Sequence, residues 1–156
     1  MSEGWQLDTV GNVVVVVTTR PLQPEEIQRI GDQADAAGTQ GRMGYLHMLA
    51  PNDAAREPLS DKARKAFVDL VRRQQDKLVA AAMVIVREGF LGAAMRGAMT
   101  AIVMAARSPV PIKLFGDPAD ATRWLEQTMH KAKVVSPTAA VLNETLDFMH
   151  ARAKAG

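Results

Sequence analysis

The chain has 156 residues, no cysteine, three histidines and a formal net charge of +2. That length suits one domain with a sizeable apolar core, and the missing thiols exclude disulfides, thiolate zinc sites and cysteine nucleophiles. Near-balanced charge, with four Phe, two Trp and one Tyr, excludes both the basic stripe that a phosphate backbone demands and a base-stacking platform, so no nucleic-acid partner is expected.

The start, Met1-Ser2-Glu3-Gly4-Trp5, lacks the basic and apolar regions of a signal peptide, and a cytoplasmic protein is expected. Trp5-Gln6-Leu7-Asp8 then alternates apolar and polar residues and runs into Gly11-Asn12, which predicts a short antiparallel partner at a sheet edge. Residues 12–19 are, after Asn12, an unbroken β-branched run, the pattern of a central strand covered on both faces. Pro24, Glu25 and Glu26 open a helix in which Ile27, Ile30, Ala34 and Ala37 repeat at helical spacing until Gly38.

Another strand is predicted over residues 43–49, and the loop after it runs from Pro51-Asn52-Asp53 to Ser60, a good N-cap. The helix that follows, over residues 61–77, puts Ala63, Ala66, Phe67, Leu70 and Val71 on one face and Lys65, Asp69, Arg72, Arg73 and Asp76 on a solvated one.

Residues 78–86 read as a further apolar strand. After the turn Arg87-Glu88-Gly89, a helix over residues 90–107 is apolar around almost its whole circumference and carries one internal charge, Arg96. Such a helix is expected to be buried. Its apolar stretch falls short of about 20 residues and is interrupted by Arg96 and two glycines, so no membrane insertion is expected. Ala93, Gly97, Ala101 and Ala105 recur every four residues and predict a close approach to the sheet or to another helix.

On the opposite side lie Met95, Met99 and Ile102, which with Met83 and Met48 either fill the core or line an adaptable apolar pocket. A guanidinium in an apolar interior must snorkel out to water or find a partner. Glu88, Asp53 and Asp117, all at C-terminal strand ends, are the candidate carboxylates for Arg96, with an anionic ligand as the alternative. Residues 112–115 make another strand, Asp117-Pro118 opens a helix, and Ser136-Pro137 starts a terminal amphipathic helix presenting Val141, Leu142, Thr145, Phe148 and Met149. Strand and helix alternate with short connections, which predicts an α/β fold: a mainly parallel sheet of four to five strands with helices on both faces.

No catalytic spacing is present. His47, His130 and His150 lack short-range partners for a metal, and His47, within a strand, is expected to be buried and satisfied by backbone. No Gly-rich phosphate loop follows a strand, and no serine sits in a Gly-x-Ser-x-Gly elbow. Neither an enzyme nor a cofactor is expected, and Glu88 and Asp53 carry no acid–base argument, because strand-end carboxylates occur in almost every such fold.

Several pieces taken in order resemble bacterial STAS-like domains related to anti-sigma-factor antagonists: the Trp-containing strand, the valine-rich strand, the Glu-Glu-Ile helix and Met43-Gly44-Tyr45-Leu46. They continue with the Arg64-to-Phe67 helix, the Phe90-to-Arg107 helix and the segment from Phe115-Gly116-Asp117-Pro118 to Trp124-Leu125. The resemblance covers about residues 5–126. It implies a STAS-like domain over residues 1–131, with 132–156 a linker and C-terminal helix packed on the same domain or on a second subunit.

The resemblance also implies a non-catalytic module that binds a protein partner, sometimes under control of phosphorylation; some relatives are proposed to bind lipid or nucleotide. The family's phosphorylated residue lies in an Asp-Ser-Ser/Thr-Gly type motif at a helix start. Here the matching region reads Pro51-Asn52-Asp53-Ala54-Ala55 and then Leu59-Ser60-Asp61, so the motif is absent and Ser60 alone holds the position. The expectation is a non-enzymatic regulatory protein-interaction module, with a homodimer left open. The alternative is a carrier or sensor of a small apolar or amphipathic anion held by Arg96, Glu88, Asn52, Asp53, Met95 and Met99.

Overall fold

The computed structural model describes residues 4–39, 41–52 and 59–155. Strands β1 (Trp5–Val10) and β2 (Val13–Thr18) form an antiparallel hairpin. Its turn needs Gly11 at a φ of 58°, which a residue without Cβ adopts at no steric cost. Strands β3 (Met43–Leu49), β4 (Leu78–Ile85) and β5 (Ile112–Phe115) then add in parallel, giving one sheet in the order β1-β2-β3-β4-β5. The predicted edge hairpin and parallel core are both present.

Helices α1 (Pro24–Gly38), α2 (Asp61–Gln74) and α3 (Gly89–Ala106) belong to one side of the sheet, and α4 (Pro118–Lys131) and α5 (Ala139–Ala155) to the other. The alternation of β2 divides the core. Val14 and Val16 join Ile27, Ile30, Phe67, Met83, Ile85 and Met99 on the first side, whereas Val13, Val15 and Val17 join Leu125, Met129, Leu142 and Leu146 on the second. Burying a side chain of this size is worth about 1.5–3 kcal/mol, which is why the valine run tolerates no polar member before Thr18. Gly44 lets α4 come close, since a Cβ there would lie 2.6 Å from the Met129 sulfur.

Local signals hold the helices at their starts. Pro24 occupies the first turn of α1, and Glu26 accepts from the Gln23 backbone N–H at 2.8 Å. Ser60 caps α2 by accepting from the Ala63 N–H at 3.1 Å. The polar face of α2 is not simply solvated: Arg73 reaches Asp35 and Asp32 on α1, and Arg72 donates to the Ala105 carbonyl at the end of α3.

Two elements differ from the sequence reading. The terminal helix starts after Thr138, whose hydroxyl accepts from the Val141 N–H at 3.3 Å, rather than at Ser136. It docks through Leu142, Leu146, Met149 and Ala153, leaving Phe148 62% exposed and Val141 at the surface. Two apolar stripes at helical spacing compete on this helix, and the sheet takes the one whose small Ala153 lets it lie close.

The larger correction concerns α3. Although its mean hydropathy is 1.4 over 18 residues, long and apolar enough by those measures to cross a membrane, only 22% of it is buried. Gly92, Met99, Ile102 and Ala106 face inward, while Phe90 and Met104 are 92% and 72% exposed. The small-residue track of Ala93, Gly97, Ala101 and Ala105 is exposed along its length, and a Cβ at Gly97 would meet nothing within 4 Å. Since α1 and α2 already cover this side of the sheet, α3 leans on α2 and touches β4 at few points.

Candidate functional site

Where α3 stands off the sheet it leaves a cleft of about 340 Å³ at the C-terminal ends of β2 and β3, within the size range of small-molecule sites and at the end of a parallel sheet where such sites gather. Its walls are Leu22, Leu49, Leu59, Phe67, Met95 and Met99, with Phe90 and Leu91 from the start of α3. Arg20 and Arg64 are its charged members. Arg20 is spoken for, because Glu26 takes its guanidinium at 2.9 Å through each carboxylate oxygen.

Thr18 and His47 bring polar atoms to this apolar space, at 3% and 1% exposure. Both sit on the side of the sheet that carries Val14 and Val16, because β2 and β3 are parallel with Val16 opposite His47. The His47 Nε2 lies 3.3 Å from the Thr18 hydroxyl, and its Nδ1 lies 3.0 Å from the Tyr45 hydroxyl. Three side chains therefore form one hydrogen-bonded chain across two strands, and the histidine is satisfied by side chains rather than by backbone. Phe67 packs against the imidazole at a ring separation of 6.1 Å.

Burial pushes the His47 imidazole down to about 3 and the Tyr45 phenol up. A neutral imidazole this weakly basic is poorly matched to general-base work near neutral pH. Among the described residues, no three His, Cys, Asp or Glu side chains converge as a metal site.

Of the candidate site residues named from the sequence, Met95 and Met99 line the cleft, and Arg96, Glu88, Asn52 and Ser60 do not. Arg96 is half-buried and donates to the Arg87 carbonyl at 3.4 Å; among the described residues it has no carboxylate partner. Glu88 and Asp117 are exposed, each as the residue before a helix. Asn52 donates its N–H to the Thr19 carbonyl, and its own carbonyl accepts from Arg87 at 3.2 Å, beside the cleft rather than in it. Asp53 lies outside the described residues. Ser60 is exposed and its hydroxyl oxygen serves the cap. Met48 points to the other side of the sheet, and Met83 lines a smaller, mainly apolar void of about 50 Å³ with Tyr45, Gln74 and, shared with the cleft, Phe67 and Met99.

Thr18, His47 and Arg64 were not foreseen as site residues. Their one signal is chemical: a threonine and a histidine that interrupt apolar strands on the same alternation, near the ends where parallel sheets open.

No protein-family model and no curated protein matches the chain. Among solved structures, the chain is similar to an uncharacterised protein of the DUF3478 family, with a SpoIIAA-like fold, from Shewanella loihica. The TM-score is 0.54 at 18% identity, over 80% of this chain and 98% of that one. The fold is thus SpoIIAA-like, the STAS-type α/β arrangement that the order of sequence pieces implied.

Proposed function

We propose that the protein is a non-enzymatic regulatory module of bacterial, cytoplasmic type that binds a partner protein through the outer face of α3. The observation that carries this reading is the exposure of that face, an uncharged strip from Phe90 through Ala93, Gly97 and Ala101 to Met104. Contiguous apolar surface of this kind marks interaction sites in folded domains. The STAS-type fold supports the regulatory part of the reading. Photo-crosslinking from p-benzoylphenylalanine placed at position 97, in the native host, tests it: a discrete protein adduct that Met104→Glu abolishes is expected. Adducts confined to lipid, or to a second copy of the chain, would overturn it.

The cleft favours a second reading, a carrier or sensor of a small amphipathic anion. Met95 and Met99 supply adaptable walls, and Arg64 takes the place at the mouth that the sequence reading gave to Arg96. Native mass spectrometry of protein purified without detergent would support this reading by a bound small molecule that Met99→Trp excludes.

A further inference from the structure

The Thr18–His47–Tyr45 chain has one proton more than its internal bonds can use. Each hydroxyl carries one, and the neutral imidazole carries one on either nitrogen, making three donors for two internal hydrogen bonds. No other hydrogen bond of these side chains is present among the described residues, so one end of the chain holds a spare donor.

The two ends are unequal. If Thr18 donates to Nε2 and Nδ1–H donates to Tyr45, the spare proton is the phenolic hydrogen of Tyr45, a half-buried side chain that lines the small void together with Gln74 and apolar residues. In that arrangement the Thr18 hydrogen is committed to His47, so the cleft offers a guest no hydroxyl donor. If Tyr45 donates to Nδ1 and Nε2–H donates to Thr18, the spare proton is the Thr18 hydroxyl hydrogen. Thr18 lines the cleft, where a guest can accept it.

We infer that the Thr18 hydroxyl, polarised by the His47–Tyr45 relay, is the specificity-determining donor of the cleft and selects apolar guests that carry an uncharged oxygen acceptor, of carbonyl type, at the buried end. A carboxylate is disfavoured at that depth, because Thr18 and His47 are neutral and the Arg20 guanidinium is already paired with Glu26, which leaves the loss of hydration unrepaid. An anionic group of the same guest would sit outward, toward Arg64. The inference rests on the cleft being a ligand site, the second reading above.

A matched pair of probes separates the two ideas: 4-phenylbutan-2-one, with a carbonyl, and butylbenzene, titrated below its low aqueous solubility and of nearly the same shape without one. Calorimetric titration of the whole chain, its Thr18→Val variant and its Thr18→Ser variant is the experiment. Thr18→Val should weaken the ketone about tenfold, the worth of one hydrogen bond, leave butylbenzene unchanged, and be rescued by Thr18→Ser. Butylbenzene binding with the ketone indifferent to Thr18→Val would overturn the inference while leaving the cleft a ligand site. Failure of both probes to bind any of the three proteins would overturn the cleft reading and the inference together.

Discussion

Arg20 and Glu26 meet in a two-pronged ion pair, with both guanidinium–carboxylate distances at 2.9 Å. The same carboxylate also accepts from the Gln23 N–H, so one side chain closes the link between β2 and α1 and orders the first turn of the helix. Glu26→Ala removes all three contacts. It should cost about 1–3 kcal/mol, since hydrogen bonds to charged groups are the stronger kind, and urea unfolding would read it; a loss below about 0.5 kcal/mol would mean that the pair is solvent-screened.

Gly92 and Gly97 lie five residues apart on α3 and should respond oppositely to the same change. A Cβ on Gly92 would overlap the Arg87 carbonyl, so Gly92→Ala forces the turn before α3 to move and should cost roughly 1–3 kcal/mol. Gly97 faces open space, and Gly97→Ala should stabilise by about 1 kcal/mol through helix propensity alone. Thermal melts of the two variants check the exposure of α3 directly. Destabilisation by Gly97→Ala would show that this face is covered.

The last helix offers a similar contrast. Leu146 is fully buried against the sheet, so Leu146→Ala should cost about 2–5 kcal/mol. Phe148, two residues on, is largely exposed and stacks with the Arg152 guanidinium at 5.6 Å, and Phe148→Ser should change stability by no more than about 1 kcal/mol. Equal losses at both positions would place the helix in a different rotation.

His47 predicts a pH dependence. Its folded-state value, about 3, lies below the ordinary 6.5, so the unfolded chain takes up the proton first as pH falls. Its contribution is fully present above about pH 6.5 and is lost progressively down to about pH 3, at up to about 1.4 kcal/mol per pH unit. His47→Gln should lower stability at neutral pH yet flatten the curve between those limits. Parallel curves for the two proteins would show that the imidazole is solvated.

Features written in local pattern were legible in the sequence: the β-branched run of β2, the Pro24 and Pro118 helix starts and the Ser60 cap. Each depends on residues a few positions apart. The site was less legible because it depends on register. Val16 pairs with His47 across 31 positions of chain, and only that pairing brings Thr18 within reach of the imidazole. For Arg96, the expectation of a buried guanidinium followed from the expectation of a buried helix and failed with it: hydropathy measures what α3 would gain from cover, and the space on that side of the sheet was already taken by α1 and α2.

Strands β1 and β2 come from the first 18 residues, yet the apolar side formed by Val13, Val15 and Val17 is covered largely by α5, from the last 18. During synthesis, therefore, the hairpin waits with a naked valine surface until residues 139–155 have left the ribosome. Each strand can join the growing sheet in order of emergence, but the second layer closes from its far end. A ribosome stalled shortly before residue 139 would hold a nascent sheet whose sticky side is open, the stage at which a chaperone would find most to grip.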